Sequence, residues 1–288
     1  MDFASPTNDI AFKKLFGNTA KKEILISFLN SVLERPEGQK IVDIIFNDPY
    51  NTPETKELKL SIVDVAATDE KNNHYIIEVQ VNSQPAYGMR AQYYTALAAS
   101  RELNASEKYG KLTPVIFVGV LGKDFELFSG DHYLSHHLVL DTKNKLNELK
   151  LMEWHFIELR KFNLELDQLK TIIEKWAYLL KNAQGLHEIP KDFEKTEPLK
   201  QAFHVLNHTV WSKEERRAYE IKMDEIMSAR DRDENSQAEA IAKGKAEGKH
   251  EQALATAQAM LIKNFEVKVI ADVTGLSPEE VEAFKKND

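Results

Sequence analysis

The alternation of apolar and polar positions divides this chain into a mixed front part and an all-helical rear part. Over residues 7–34, apolar side chains recur at helical spacing: Ile10, Leu15 and Phe16, then Ile24, Leu25, Phe28, Leu29 and Val32. Thr7 and Asn8 are candidate caps, and Gly17-Asn18 divides the stretch into two helices. Three strand-like segments follow, Ile41–Phe46, Leu58–Ala67 and His74–Val81, and the turn Asp69-Glu70-Lys71-Asn72-Asn73 reads as a hairpin. An alanine-rich helix is expected from about Pro85 to Leu103. The continuous apolar run Pro114–Leu121 reads as a strand covered on both faces. Shorter strands are expected at His137–Leu140 and Trp154–Leu159. A hairpin leading through a crossover helix into a buried strand implies an α/β fold with a mixed sheet flanked by helices.

From about Leu164 the pattern predicts helices alone: Leu166–Lys181, Pro198–Asn207, Lys213–Arg232 and Gln237–Asn264. Ala238–Glu251 is charged and poor in large apolar residues. It reads either as an exposed helix weakened by Gly244 and Gly248 or as a flexible connector, and it marks the best boundary. In the last segment Gly275 caps one helix, and Ser277, Pro278 and Glu280 open the next with a capping box. That two-helix unit reads as an interaction or dimerisation hairpin, or as a helix–turn–helix with few basic residues.

Within HYIIEVQVN the period of two puts Tyr75, Ile77, Val79 and Val81 on one face and Ile76, Glu78, Gln80 and Asn82 on the other. Glu78 and Gln80 therefore point the same way, about 7 Å apart along the strand. In LKLSIVDVAA, Asp64 shares its face with Leu60 and Ile62, an apolar row. An acid in an apolar row is costly unless it is paired, hydrogen-bonded or metal-bound. The hairpin brings Asp64 beside Glu78, and a divalent cation relieves the repulsion between two such carboxylates.

These residues carry a resemblance. Asp64 followed fourteen residues later by the E-x-Q of IIEVQ is similar to the (P)D…(D/E)-x-K core of restriction-endonuclease-like nucleases. The ordered set NDIAFKKLFGN, ILISFLN, IVDVAATDEKNNHYIIEVQ, MRAQYYTALAAS and KYGKLTPVIFVGVL resembles the Rpn family of recombination-promoting nucleases, also labelled PD-(D/E)XK nuclease family transposases. The resemblance runs from about residue 3 to 160, and the tail is similar to that of many relatives. It implies a restriction-endonuclease-like domain over 1–162, a helical extension over 163–235, and a helical linker with a small hairpin over 236–288. It further implies a Mg²⁺- or Mn²⁺-dependent DNA endonuclease linked to recombination or mobile elements.

Carried over by position, the resemblance makes Asp64 and Glu78 metal ligands, with the Val79 carbonyl and Asp9 completing the set. Gln80 stands where most of the superfamily has lysine; it can orient water but brings no charge. Lys13, one turn after Asp9, is the candidate for that charge, although Asp9 and Lys13 also suit an ordinary i,i+4 ion pair. Arg90, Tyr93 and Tyr94 match an R-x-x-Y-Y on the crossover helix and would face phosphate or brace the site. The tyrosines also suit plain core or rim positions.

Composition bears on this picture in three ways. The net charge of −8 works against phosphate affinity and favours a second reading, a degenerate nuclease fold acting as a DNA- or protein-binding module. The absence of cysteine excludes disulfides, thiolate zinc sites and cysteine nucleophiles. No apolar run approaches the roughly 18 residues of a membrane span. With no secretory signal pattern at the start, a cytoplasmic protein is expected, with DNA as partner and the helical C-terminal region as the candidate surface for a homodimer. The His204/His208 pair lacks the third ligand a zinc site needs, and His132, His136 and His137 read as a loop cluster without metal.

Overall fold

The computed structural model describes residues 1–47, 50–51, 61–102 and 108–285. They fall into two compact units, Met1–Ile226 and Met227–Asp288. In the first, α1 (Asp9–Phe16) is opened by Asn8, whose side chain accepts the Ile10 N–H at 2.9 Å. After a short 3₁₀ turn, α2 (Lys22–Leu33) buries Ile24, Leu25, Phe28, Leu29 and Val32, as the helical spacing predicts. The strands are β1 (Ile44–Phe46), the short pair β2 (Tyr50–Asn51) and β3 (Ser61–Ile62), β4 (Val65–Asp69) and β5 (His74–Gln80). Helix α3 (Tyr87–Ser100) then leads to β6 (Val115–Leu121), β7 (Leu134–Leu138) and β8 (Met152–Glu158). The main sheet has six strands in the order β1-β4-β5-β6-β8-β7. Pairing of β5 with β6 and of β6 with β8 is parallel, and the rest is antiparallel. It is the mixed sheet flanked by helices that the pattern predicts.

The hairpin between β4 and β5 is closed by Asp69. Its carboxylate accepts the N–H groups of Lys71 and Asn73 and the Tyr75 hydroxyl, and Asn72 takes the left-handed conformation at φ +61°. Burial separates the two faces of β5 and β6. Tyr75, Ile77, Val79, Ile116, Val118 and Val120 enter a core shared with α1 and α2. Ile76, Val115, Phe117 and Leu121 enter a second core under α3. Helices α4 (Ile172–Asn182), α5 (Lys191–Glu194) and α6 (Glu197–Leu206) close over the first core, where Trp176 packs between Phe16 and Phe28.

Several boundaries differ from expectation. The segment Leu58–Ala67 is not one strand: Leu58–Leu60 lie outside the described residues, and a bend at Asp64 separates β3 from β4. In an unbroken strand Val63 and Val65 would share a face, yet Val63 packs under α3 while Val65 joins the opposite core. The crossover helix starts at Tyr87 rather than Pro85, because Ala86 sits in the left-handed region at φ +59°; Leu103 lies outside the described residues. Strand β7 begins three residues earlier than expected, its register set by pairing His136 with His155. Lys213–Arg232 and Gln237–Asn264 are a single helix, α7 (Lys213–Ile262), with the charged stretch Ala238–Glu251 helical throughout. Its Ala, Lys, Glu and Gln residues are strong helix formers, and they outweigh the roughly 1 kcal/mol that each glycine costs.

The second unit contains the end of α7 with α8 (Val267–Thr274) and α9 (Pro278–Lys285). Ala257, Ile270, Leu276 and Val281 form its small core. Gly275, at φ +73°, caps α8, and Ser277 and Glu280 form the expected reciprocal cap, each accepting the other's backbone N–H. Among the described residues no helix is long and apolar enough to cross a membrane.

Gly122 follows β6 and donates its N–H to the Gln80 carbonyl at 2.8 Å, and a Cβ there would lie 2.5 Å from the Val81 carbonyl oxygen. Gly122→Ala is expected to destabilise the first unit by about 1–3 kcal/mol in urea unfolding. Gly244→Ala, in open space on a helix, should stabilise α7 by about 0.5–1 kcal/mol. Wild-type stability in Gly122→Ala would contradict this account of the strand ends.

Candidate active site

The β4–β5 register pairs Val65 with Ile77, which sets the preceding residue, Asp64, beside Glu78. The bend at Asp64 turns its carboxylate back onto β5, where Oδ2 accepts the Val79 N–H at 3.0 Å. The apolar row expected through Leu60 and Ile62 begins outside the described residues, at Leu60. Asp64 stands where the chain changes faces, and a backbone N–H accounts for part of its burial. Glu78 is 5% exposed and points to the α3 side with Ile76, as the alternation predicts. Its Oε1 is buried without a hydrogen-bond partner.

Two cations reach this pair from opposite sides. Lys13 on α1 lies 3.5 Å from Asp64 Oδ1. Arg90 on α3 lies 3.6 Å from Glu78 Oε2, and its Nη2 donates to Gln80 Oε1 at 2.8 Å. Gln80 in turn donates through Nε2 to the Asn82 carbonyl at 3.0 Å, and Arg90 Nη1 donates to Gln84. The guanidinium also lies over the rings of Tyr87 at 4.7 Å and Tyr94 at 5.9 Å. Tyr93, the other tyrosine of the pair, is 41% exposed and touches Tyr94 rather than Arg90.

Asp9 and Lys13 do not form the i,i+4 pair that their spacing suits. Asp9 instead meets Lys222 of α7 at 3.1 Å, which frees Lys13 for Asp64. Among the described residues no three His, Asp or Glu side chains are grouped to hold a metal ion. The carboxylates that the hairpin brings side by side are Asp64 and Glu78. The structure adds Tyr87 and Gln84 to the neighbourhood. Tyr87 stands three residues before Arg90, at the spacing of one helical turn, and that was the available signal.

A family model described as PD-(D/E)XK nuclease family transposase matches residues 6–238. The chain belongs to that family. No curated protein and no solved structure matches it. The resemblance carried by the ordered motifs is thereby borne out, and so is the fold class. Membership in the PD-(D/E)XK family supports a nuclease linked to mobile elements.

PD-(D/E)XK nucleases generally use divalent metal ions, and the donors present here fit one. Burial, followed by the charge of Asp64, pushes the Glu78 carboxyl up to about 8, against the opposing pull of Arg90 and Lys13. Burial also raises Asp64, against the Val79 N–H and Lys13. Two carboxylates that hold protons this firmly, one with an orphaned oxygen, suit a hard cation bound through oxygen.

The sign of the pH dependence follows. Without metal, folded Glu78 binds its proton more tightly than the unfolded chain does. Its contribution to stability is full below pH 4.5, declines as pH rises, and is lost above about 8. In chelator, Glu78→Gln is therefore expected to gain up to about 5 kcal/mol on wild type between those limits. Asp69 and Glu153, whose carboxyls are held low, act in the opposite sense in both proteins and cancel in the comparison. Parallel stability curves from pH 4.5 to 8 would contradict the burial of a charged Glu78.

Proposed function

We propose that this chain is a metal-dependent DNA endonuclease, acting by phosphodiester hydrolysis in recombination or mobile-element biology. The observation that carries the reading is the pair of buried Glu78 and partly buried Asp64, whose orphaned Glu78 oxygen and raised proton affinities call for a cation. Mg²⁺ or Mn²⁺ would be held by Asp64, Glu78 and the Val79 carbonyl, and when bound it supplies Lewis acidity and a more acidic water. Asp9 belongs to the rim in this reading, paired with Lys222. Lys13 balances the charge of Asp64, and Arg90 faces the phosphate, with Tyr94 bracing it. Tyr93, exposed beside it, is left for contact with DNA.

The nuclease-like part is assigned to 1–162, the helical extension to 163–235, and the remainder, 236–288, to a helical linker and hairpin suited to homodimer formation. A cytoplasmic setting accords with a DNA substrate. A second reading, a binding module on the same fold, draws on the net charge of −8, which lowers affinity for polyanions.

Supercoiled plasmid with Mg²⁺ or Mn²⁺ distinguishes them. Wild-type protein should nick it, and Asp64→Ala and Glu78→Ala should each reduce the rate by about 10²-fold or more. Equal nicking by all three proteins would trace the activity to a contaminant. No nicking by wild type with either metal at low or high salt would sink the endonuclease reading in favour of the binding module.

A further inference from the structure

The E-x-Q sequence leaves the motif's positive charge unfilled at residue 80, yet the site has a guanidinium beside that residue. We propose that Gln80 is a positioning residue. It holds Arg90 of α3 against Glu78, so that Arg90 supplies the charge that lysine brings in most of the superfamily. This rests on the nuclease reading above and adds to it the source of the charge and the reason for glutamine.

Gln80 uses both ends of its amide. Nε2 donates to the Asn82 carbonyl, which fixes the orientation of the group, and Oε1 then faces Arg90 Nη2 at 2.8 Å. A lysine at 80 has no acceptor and would set a second cation against the guanidinium. Glutamine is neutral and accepts, which is what a neighbouring arginine needs. The remaining contacts of the guanidinium are Gln84 at Nη1, Glu78 at 3.6 Å, and the rings of Tyr87 and Tyr94. Two side-chain oxygens accept hydrogen bonds from it and the Glu78 oxygen lies farther off, so its five N–H donors keep capacity for a phosphate oxygen. Lys13 is less suited to the task. It is about half exposed and pairs with Asp64, on the other side of the pair.

The proposal predicts a pattern across four variants assayed for metal-dependent plasmid nicking. Arg90→Ala should lower kcat by about 10²-fold, and Gln80→Ala by about 10-fold. Adding Gln80→Ala to Arg90→Ala should change the rate less than about twofold, because the group it positions is gone. Gln80→Lys with Arg90→Ala should recover at least about 10-fold over Arg90→Ala alone, a rescue that a purely structural role would not give. A Gln80→Ala loss of equal size with and without Arg90 would overturn the proposal, and so would failure of the lysine rescue. A second readout is independent of cleavage. In metal-free protein the Arg90 guanidinium should show hindered rotation by nitrogen-15 NMR, and Gln80→Ala should release it. Unchanged rotation overturns the proposal even in a protein that cuts DNA. A wild type that cuts no DNA overturns the nuclease reading, and the charge role with it.

Discussion

Two like charges forced together out of water are the constraint on which the rest of the site depends. Asp64 and Glu78 face each other across the β4–β5 hairpin, Glu78 is nearly inaccessible, and burial together with the charge of Asp64 raises its proton affinity. A structure that keeps such a pair must supply compensating charge, and the surrounding elements do so. Helix α1 brings Lys13, helix α3 brings Arg90, and the bend at Asp64 brings the Val79 N–H. The placement of both helices against the sheet follows from the two cores, one on each face of β5 and β6. Packing and electrostatics thus meet on one strand, whose odd residues build the first core and whose even residues carry the chemistry.

The local charge balance sharpens the objection from net charge. Lys13, Lys14, Arg90 and Lys222 all lie in or around the site's helices, yet each faces an acid: Asp64, Glu215, Glu78 and Asp9. Their charge is partly committed within the fold, so a polyanion approaching this surface meets less free positive potential than the count of bases suggests. A divalent cation at the carboxylate pair would shift that balance, since it would neutralise the acids that Lys13 and Arg90 now face. Metal and nucleic acid would then bind with positive coupling, each improving the site for the other.

Much of this was legible in the sequence, and the misses have physical causes. The alternation in HYIIEVQVN assigned Glu78 and Gln80 to one face because β5 is a regular strand buried on both sides. The turn Asp69–Asn73 fixed the hairpin register, and with it the approach of Asp64 to Glu78. The bend at Asp64 was hidden because Val63 and Val65 are both buried. A period-two pattern reads the same whether successive valines enter one core or opposite cores. The pairing of Asp9 with Lys222 joins residues more than two hundred positions apart, and no local spacing carries such information. The capacity of Gln80 to recruit Arg90 was likewise invisible, since ten residues and a change from strand to helix separate them. The continuity of α7 across residues 233–236 was not legible because that polar stretch, DENS, carries no apolar position to sustain the helical period.

The central claim is that Asp64 and Glu78 together form a divalent cation site, and direct Mn²⁺ binding followed by electron paramagnetic resonance tests it without DNA. The account predicts specific binding that strengthens as pH rises toward about 8, where Glu78 gives up its proton. Asp64→Asn and Glu78→Gln should each abolish it, while Asp9→Asn should leave it largely intact. Mn²⁺ bound equally well by wild type and both of those carboxylate variants, or not bound by wild type at all, would contradict the account.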